Sequence, residues 1–116
     1  MILLPGEEVK VYLRVGATDL RKAINGLSIL VQEELELDPF SGAVYGFCNR
    51  RGTMLKILYW SENGFCLWMK RLERNHFKWP ESRREVMEIS WRELEWLLAG
   101  FDLQQAHGRL DYTTVV

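Results

Sequence analysis

Histidine and cysteine occur only twice each in the 116 residues, and proline three times. His76 and His107 stand alone, and no C-x-x-C, H-x-x-x-H or paired-carboxylate spacing exists, so the chain offers no recognisable metal set. It also has no nucleophile elbow of the G-x-S-x-G kind and no phosphate-cradling P-loop. These gaps predict a non-catalytic protein without a cofactor. No apolar run approaches the roughly 18 residues that a membrane span needs. The start, MILLPGEE, is apolar only to Leu4 and has no basic lead, which reads as a cytoplasmic chain rather than a secreted one. Cys48 and Cys66 can be bridged only as cross-strand neighbours; the cytoplasmic reading keeps them reduced.

What is present suits a soluble domain. Hydrophobic residues make up 47% and charged residues 27%, and the length fits one domain. The domain is expected over residues 1–103, with a poorly ordered tail over 104–116, where periodicity fades. The net charge of −1 argues alone against nucleic acid, but its distribution says otherwise. Residues 1–49 carry −3, residues 50–84 carry +6 and residues 85–116 carry −4. A basic centre between acidic flanks is a directional field that the average conceals.

The patterning predicts an α+β fold. An antiparallel meander sheet of about four to six strands packs with an N-terminal amphipathic helix and a shorter C-terminal helix. Val9 to Val15 reads as a strand ended by Gly16. Thr18 is a good N-cap, and Leu20, Ile24, Leu27, Val31 and Leu35 form one apolar stripe, predicting a helix over 19–37 stopped at Asp38-Pro39. Gly26 within it marks a close approach to the sheet. Strands follow at 43–49, 54–60, 65–72 and 76–79. Arg50-Arg51-Gly52 forms one hairpin loop. Ser61 to Gly64 forms another, with Asn-Gly taking the positive φ that tight hairpins require.

Across that second hairpin, Met54, Lys56, Leu58, Trp60, Phe65, Leu67, Met69 and Arg71 share one face. Leu55, Ile57, Tyr59, Cys66, Trp68, Lys70 and Leu72 share the other. Both faces are largely apolar, so both need cover. One is expected to take the first helix; the other takes the second helix, a curled sheet or a partner. Glu85 to Ile89 reads as a short edge strand. Ser90 and Glu93 make a capping box for a helix ended at Gly100.

The basic cluster is the candidate site. Arg50 and Arg51 crown a hairpin whose glycine lets backbone approach a phosphate. Lys56, Lys70, Arg71 and Arg74 complete the expected nucleic-acid-binding set. Tyr59, Trp60, Trp68, Phe77 and Trp79 are either core or stacking platforms for unpaired bases.

Several stretches also carry a family resemblance. T-D-L-R-K at Thr18 to Lys22, D-P-F-S-G at Asp38 to Gly42 and R-R-G at Arg50 to Gly52 are three of them. G-F-C-L-W-x-K-R-L-E-R from Gly64 to Arg74 and W-P at Trp79-Pro80 are the others. Over residues 3–103 the chain resembles the TnpB accessory proteins, the second open reading frame product of insertion-sequence-sixty-six-type bacterial transposable elements. The resemblance implies a helper in DNA transposition, encoded beside a separate transposase that does the strand chemistry. The expected partners are therefore transposon-end DNA and the transposase of the same element; a homo-oligomer stays open beside them. The alternative is a protein–protein adaptor that docks by an apolar sheet face without touching DNA.

Overall fold

A computed structural model describes residues 6–103. Five strands and two helices follow in the order β1 (Val11–Ala17), α1 (Ile24–Glu33), β2 (Val44–Cys48), β3 (Met54–Ser61), β4 (Gly64–Arg71), β5 (Val86–Ile89) and α2 (Trp91–Leu98). They form one sheet in the spatial order β4-β3-β2-β1-β5. The sheet is mixed, which corrects the expected antiparallel meander. β1 and β2 are parallel neighbours, Val11 opposite Val44, while the other three pairings are antiparallel. The reason lies in α1. A helix between two adjacent strands returns the chain across the sheet face, so the second strand restarts at the same end as the first.

The first helix is shorter than the apolar stripe suggests, and backbone hydrogen bonding explains its late start. Thr18 N–H donates to the Cys48 carbonyl at 2.8 Å, which holds the chain at the end of β2. Asp19 accepts from the Arg21 N–H at 3.0 Å, and the Lys56 ammonium donates to the carbonyls of Leu20 (2.8 Å) and Lys22 (3.0 Å). Carbonyls held by a lysine do not feed a helical ladder, so 18–23 is a tied loop. Thr18 is buried, with its hydroxyl taking the Arg14 guanidinium at 3.2 Å, and Ala23 is the N-cap without a capping side chain. Gly26 faces the Lys22 side chain, 3.1 Å from where a Cβ would sit, rather than the sheet. At the far end Glu36, at φ +55°, turns the chain away ahead of Asp38-Pro39.

Both sheet faces are covered. Leu27, Leu30 and Val31 of α1 pack with Tyr45, Phe47 and Leu58, with Phe65 and Leu67 at the margin. On the other face, Leu94 and Leu97 of α2 close over Val11, Leu13, Leu55 and Ile57. The expected strand at 76–79 is instead an irregular segment that crosses this second face. Its Phe77 is buried, and Trp79 donates from Nε1 to the Arg14 carbonyl at 2.8 Å. No ladder forms there because Gly52 offers Phe77 a single carbonyl, at 2.7 Å. Gly46 makes room for the crossing. A Cβ there would lie 2.8 Å from Leu13 Cδ2 and 3.3 Å from Trp79 Cη2.

The register confirms the face pattern of the long hairpin: Trp60 opposes Phe65 and Ser61 opposes Gly64, leaving a two-residue turn. In that turn the positive φ falls on Glu62 (+54°), not on Asn63 or Gly64, because Gly64 is already paired in the strand. The capping box of α2 forms in both directions, Glu93 N–H to Ser90 Oγ at 3.1 Å and Ser90 N–H to Glu93 Oε1 at 2.8 Å. The expected tail at 104–116 lies outside the described residues. Among those described, no helix is long and apolar enough to cross a membrane.

Two substitutions check this packing and this turn. Gly46→Ala should destabilise by about 1–3 kcal/mol, since the new methyl overlaps Leu13 with nowhere to move. Glu62→Gly should stabilise by about 0.5–1 kcal/mol, because glycine adopts the left-handed backbone without a Cβ clash. Urea unfolding midpoints of both variants against the parent chain measure the two effects.

Candidate nucleic-acid interface

Parallel pairing has a spatial consequence for charge. β1 and β2 end together (Ala17 opposite Cys48), β3 begins there, β4 finishes there (Met54 opposite Arg71), and β5 starts there. Loops 18–23, 49–53 and 72–85 therefore all leave one end of the sheet. With the last residues of β4 included, that end gathers ten basic side chains and four acidic ones. The opposite end consists of residues 6–10, the connection 33–43 and the Glu62-Asn63 turn. It holds six acidic side chains and one lysine, since Glu34 of that connection reaches back to pair with Arg14 at 3.2 Å, beside Thr18. With the Arg14–Glu34 pair cancelling at the first end, the net charges are +6 and −5, separated along the strands.

Between loop 18–23 and the β2–β3 hairpin tip lies a cleft of about 520 Å³, lined by Ala17 to Arg21, Asn49, Arg50, Arg51 and Met54. It sits beyond the carboxyl ends of the two parallel strands, where open α/β sheets commonly bind ligands. Asn49 builds the tip: its Oδ1 accepts from Thr53 N–H (2.9 Å) and Met54 N–H (3.1 Å), and its Nδ2 donates to Thr53 Oγ1 (3.1 Å). With the loop so tied, Arg50 and Arg51 are both exposed, and no hydrogen-bond partner holds either guanidinium among the described residues. Gly52 is not open to a phosphate. It is buried at φ +71°, 3.3 Å from His76 Cβ and from the Phe77 carbonyl at its Cβ position, so its freedom serves loop contact.

The other expected site residues divide by occupation. Lys56 lies on the α1 face with its ammonium engaged by loop 18–23. Lys70 donates to the Leu98 carbonyl at 3.0 Å, a cation at the C-terminal end of α2 where the helix dipole favours it. Arg71 is exposed and pairs with Glu73 at 3.0 Å. Arg74 is exposed beside His76 and Lys78 around a second hollow of about 470 Å³, next to the end of α2. Arg83 and Arg84 are exposed on the same sheet end.

Arg21 and Lys22 were not expected here, because the apolar stripe assigned them to a helix surface. The available signal was a strand followed at once by a polar run and then a helix, the arrangement that puts such a run at a strand's carboxyl end. Arg21 binds Asp19 through both carboxylate oxygens, with contacts of 2.7–3.1 Å. That contact holds the Asp19 carboxyl far below the usual carboxylate range and raises Arg21.

The aromatic residues are committed elsewhere. Tyr59 and Phe77 are buried, Trp68 packs on the α2-side core, Trp79 is hydrogen-bonded, and Trp60 stacks edge-on with Phe65 and Phe40. Both cysteines are free. They are not cross-strand neighbours, since Cys48 opposes Leu55 and Cys66 opposes Tyr59. Burial pushes the Cys48 thiol up to about 11, far from a nucleophilic thiolate.

The described residues thus form a small α+β module with a mixed sheet and a cation-rich loop end. The family model for IS66 Orf2-like proteins matches residues 9–108, and the chain belongs to that family. It is similar to the uncharacterized protein y4hO of Sinorhizobium fredii (strain NBRC 101917 / NGR234), with 39% identity over 101 residues covering 86% of this chain and 88% of the relative. The uncharacterized protein y4jC of the same strain is 31% identical over 98 residues, covering 84% of each. No solved structure matches the chain. Membership associates the protein with transposition of insertion sequences.

The Asp19–Arg21 contact has a pH signature. A carboxyl whose folded pKa is depressed contributes stability above its unfolded value of about 3.9 and loses it as pH falls through the folded value. Asp19→Asn should therefore differ most from the parent chain above pH 4. The difference should narrow progressively in more acid solution, as read from urea midpoints across pH 2–7.

Proposed function

We propose that the protein is a non-catalytic accessory factor of transposition that grips element DNA by its phosphate backbone through the basic loop end of the sheet. The observation that carries this reading is the gathering of ten basic against four acidic side chains at one end of the molecule. Arg50, Arg51 and Arg74 supply the grip from the set expected in the sequence, joined by Lys22, Lys78, Arg83 and Arg84. Lys56 holds loop 18–23, Lys70 is bound to the end of α2, and Arg71 is shared with Glu73.

The chemistry on offer favours backbone over bases. Phosphates need only exposed cations, and each contact releases counterions from the duplex. Reading unpaired bases needs exposed aromatic faces, and the five aromatics of the central stretch, Tyr59, Trp60, Trp68, Phe77 and Trp79, are buried or half-buried. The acidic opposite end repels DNA, so the charge separation orients the molecule during encounter as well as attracting it. Sequence choice then falls to the transposase of the same element, with which the factor works.

Arg50→Ala combined with Arg51→Ala should weaken binding to a terminal-repeat duplex. It should also lower the slope of log K against log salt by about two, since each phosphate no longer neutralised removes about 0.9. Fluorescence anisotropy across a salt series measures both, with Lys56→Ala expected to leave the slope alone. An unchanged slope in the double variant would sink the assignment.

A further inference from the structure

The two edges of the sheet are treated very differently. β5 is four residues long, whereas β4 runs eight residues, GFCLWMKR, in unbroken register with β3 and with no proline. No strand pairs with the outer side of β4 among the described residues. Which backbone groups face outward follows from one hydrogen bond, Leu72 N–H to the Thr53 carbonyl at 2.8 Å. Opposed pairs in an antiparallel ladder alternate between bonded and unbonded, so Cys66, Trp68 and Lys70 bond to β3. Phe65, Leu67, Met69 and Arg71 then point their N–H and carbonyl groups away from the sheet. An open row of this length and composition is a template for another strand.

We infer that this edge takes the β4 strand of a second copy, antiparallel across a two-fold axis, so that two five-stranded sheets become one. Charge selects both the occupant and the direction. Antiparallel pairing sets the basic end of each copy beside the acidic end of the other, with Glu62 of one turn close to Lys70 and Arg71 of the opposite strand. Parallel pairing would set Arg71 against Arg71 and Glu62 against Glu62.

Side chains agree with a two-fold at Leu67. In that register Leu67 meets its own copy, Phe65 meets Met69, and Cys66 meets Trp68, each pair on one face. Met69 and Phe40, both 55% exposed, are two of four large apolar side chains left in water, and Phe40 stacks on Phe65 at 5.2 Å. The pairing would bring a thioether against that aromatic group, a favourable contact. It also closes on itself, because the short β5 edge plays no part, and a closed two-fold contact does not propagate.

Sedimentation equilibrium of the full chain without DNA, over a range of concentrations, tests the inference. The expected species has twice the chain mass. Met69→Pro should convert it to a monomer, since the proline removes an outward N–H that β3 does not use and leaves the inner ladder in place. Met69→Lys should do the same by placing a charge on the pairing edge, and circular dichroism checks that each variant is folded. A parent chain that stays monomeric, one that grows beyond a dimer, or a dimer that survives in a folded Met69 variant would overturn it.

Discussion

The parallel pairing of β1 with β2 is the constraint on which the rest of the molecule depends. It requires α1 to cross the sheet, which gives one face its cover. It makes the two strands finish together, so that the loops after them stand side by side. The antiparallel neighbours β3, β4 and β5 then turn about that same end. Had β1 run antiparallel to β2, loop 18–23 and the Arg50-Arg51 tip would lie at opposite ends of the sheet, and the cleft between them would not exist.

Cations in this protein do two kinds of work, and geometry separates them. Lys56 and Lys70 end on backbone carbonyls, one replacing the ladder of an unformed first helical turn, the other closing the last turn of α2. Such contacts are charge-assisted, and they fix loop 18–23 and the end of α2 to the sheet. Arg50, Arg51, Arg74, Arg83 and Arg84 are exposed and keep their donors in water. A phosphate replaces water around such groups at little desolvation cost, whereas Lys56 would have to release two carbonyls first. The family membership associates the protein with transposition, and the proposed grip on phosphate rests on the exposed set of cations.

Much of the local structure could be read in the residues alone. Alternation placed the hairpin faces correctly through Trp60 and Phe65, and Ser90-x-x-Glu93 specified its own cap, because these depend on neighbours within a few positions. The family was legible too, in T-D-L-R-K, D-P-F-S-G and the run from Gly64 to Arg74. The start of α1 was not legible. Leu20 lies on the apolar stripe, but Thr18 answers to Cys48 and the Leu20 carbonyl to Lys56, partners 30 and 36 positions away. His76 to Trp79 likewise reads as strand, and is held instead by Gly52 and the Arg14 carbonyl.

Which residues are apolar, how they alternate, and the concentration of positive charge in the middle of the chain are written in the order of residues. Those are properties of side chains and of short-range periodicity. Which strands are neighbours is a matter of long-range packing, and from it follows that Arg21 and Lys22 join the central cations while Glu7, Glu8, Glu36 and Asp38 of the acidic N-terminal part stand at the other end. Strand order depends on pairing between segments far apart in the chain, and no local pattern encodes it. A sequence-wide net charge of −1 thus becomes a molecule with two oppositely charged ends.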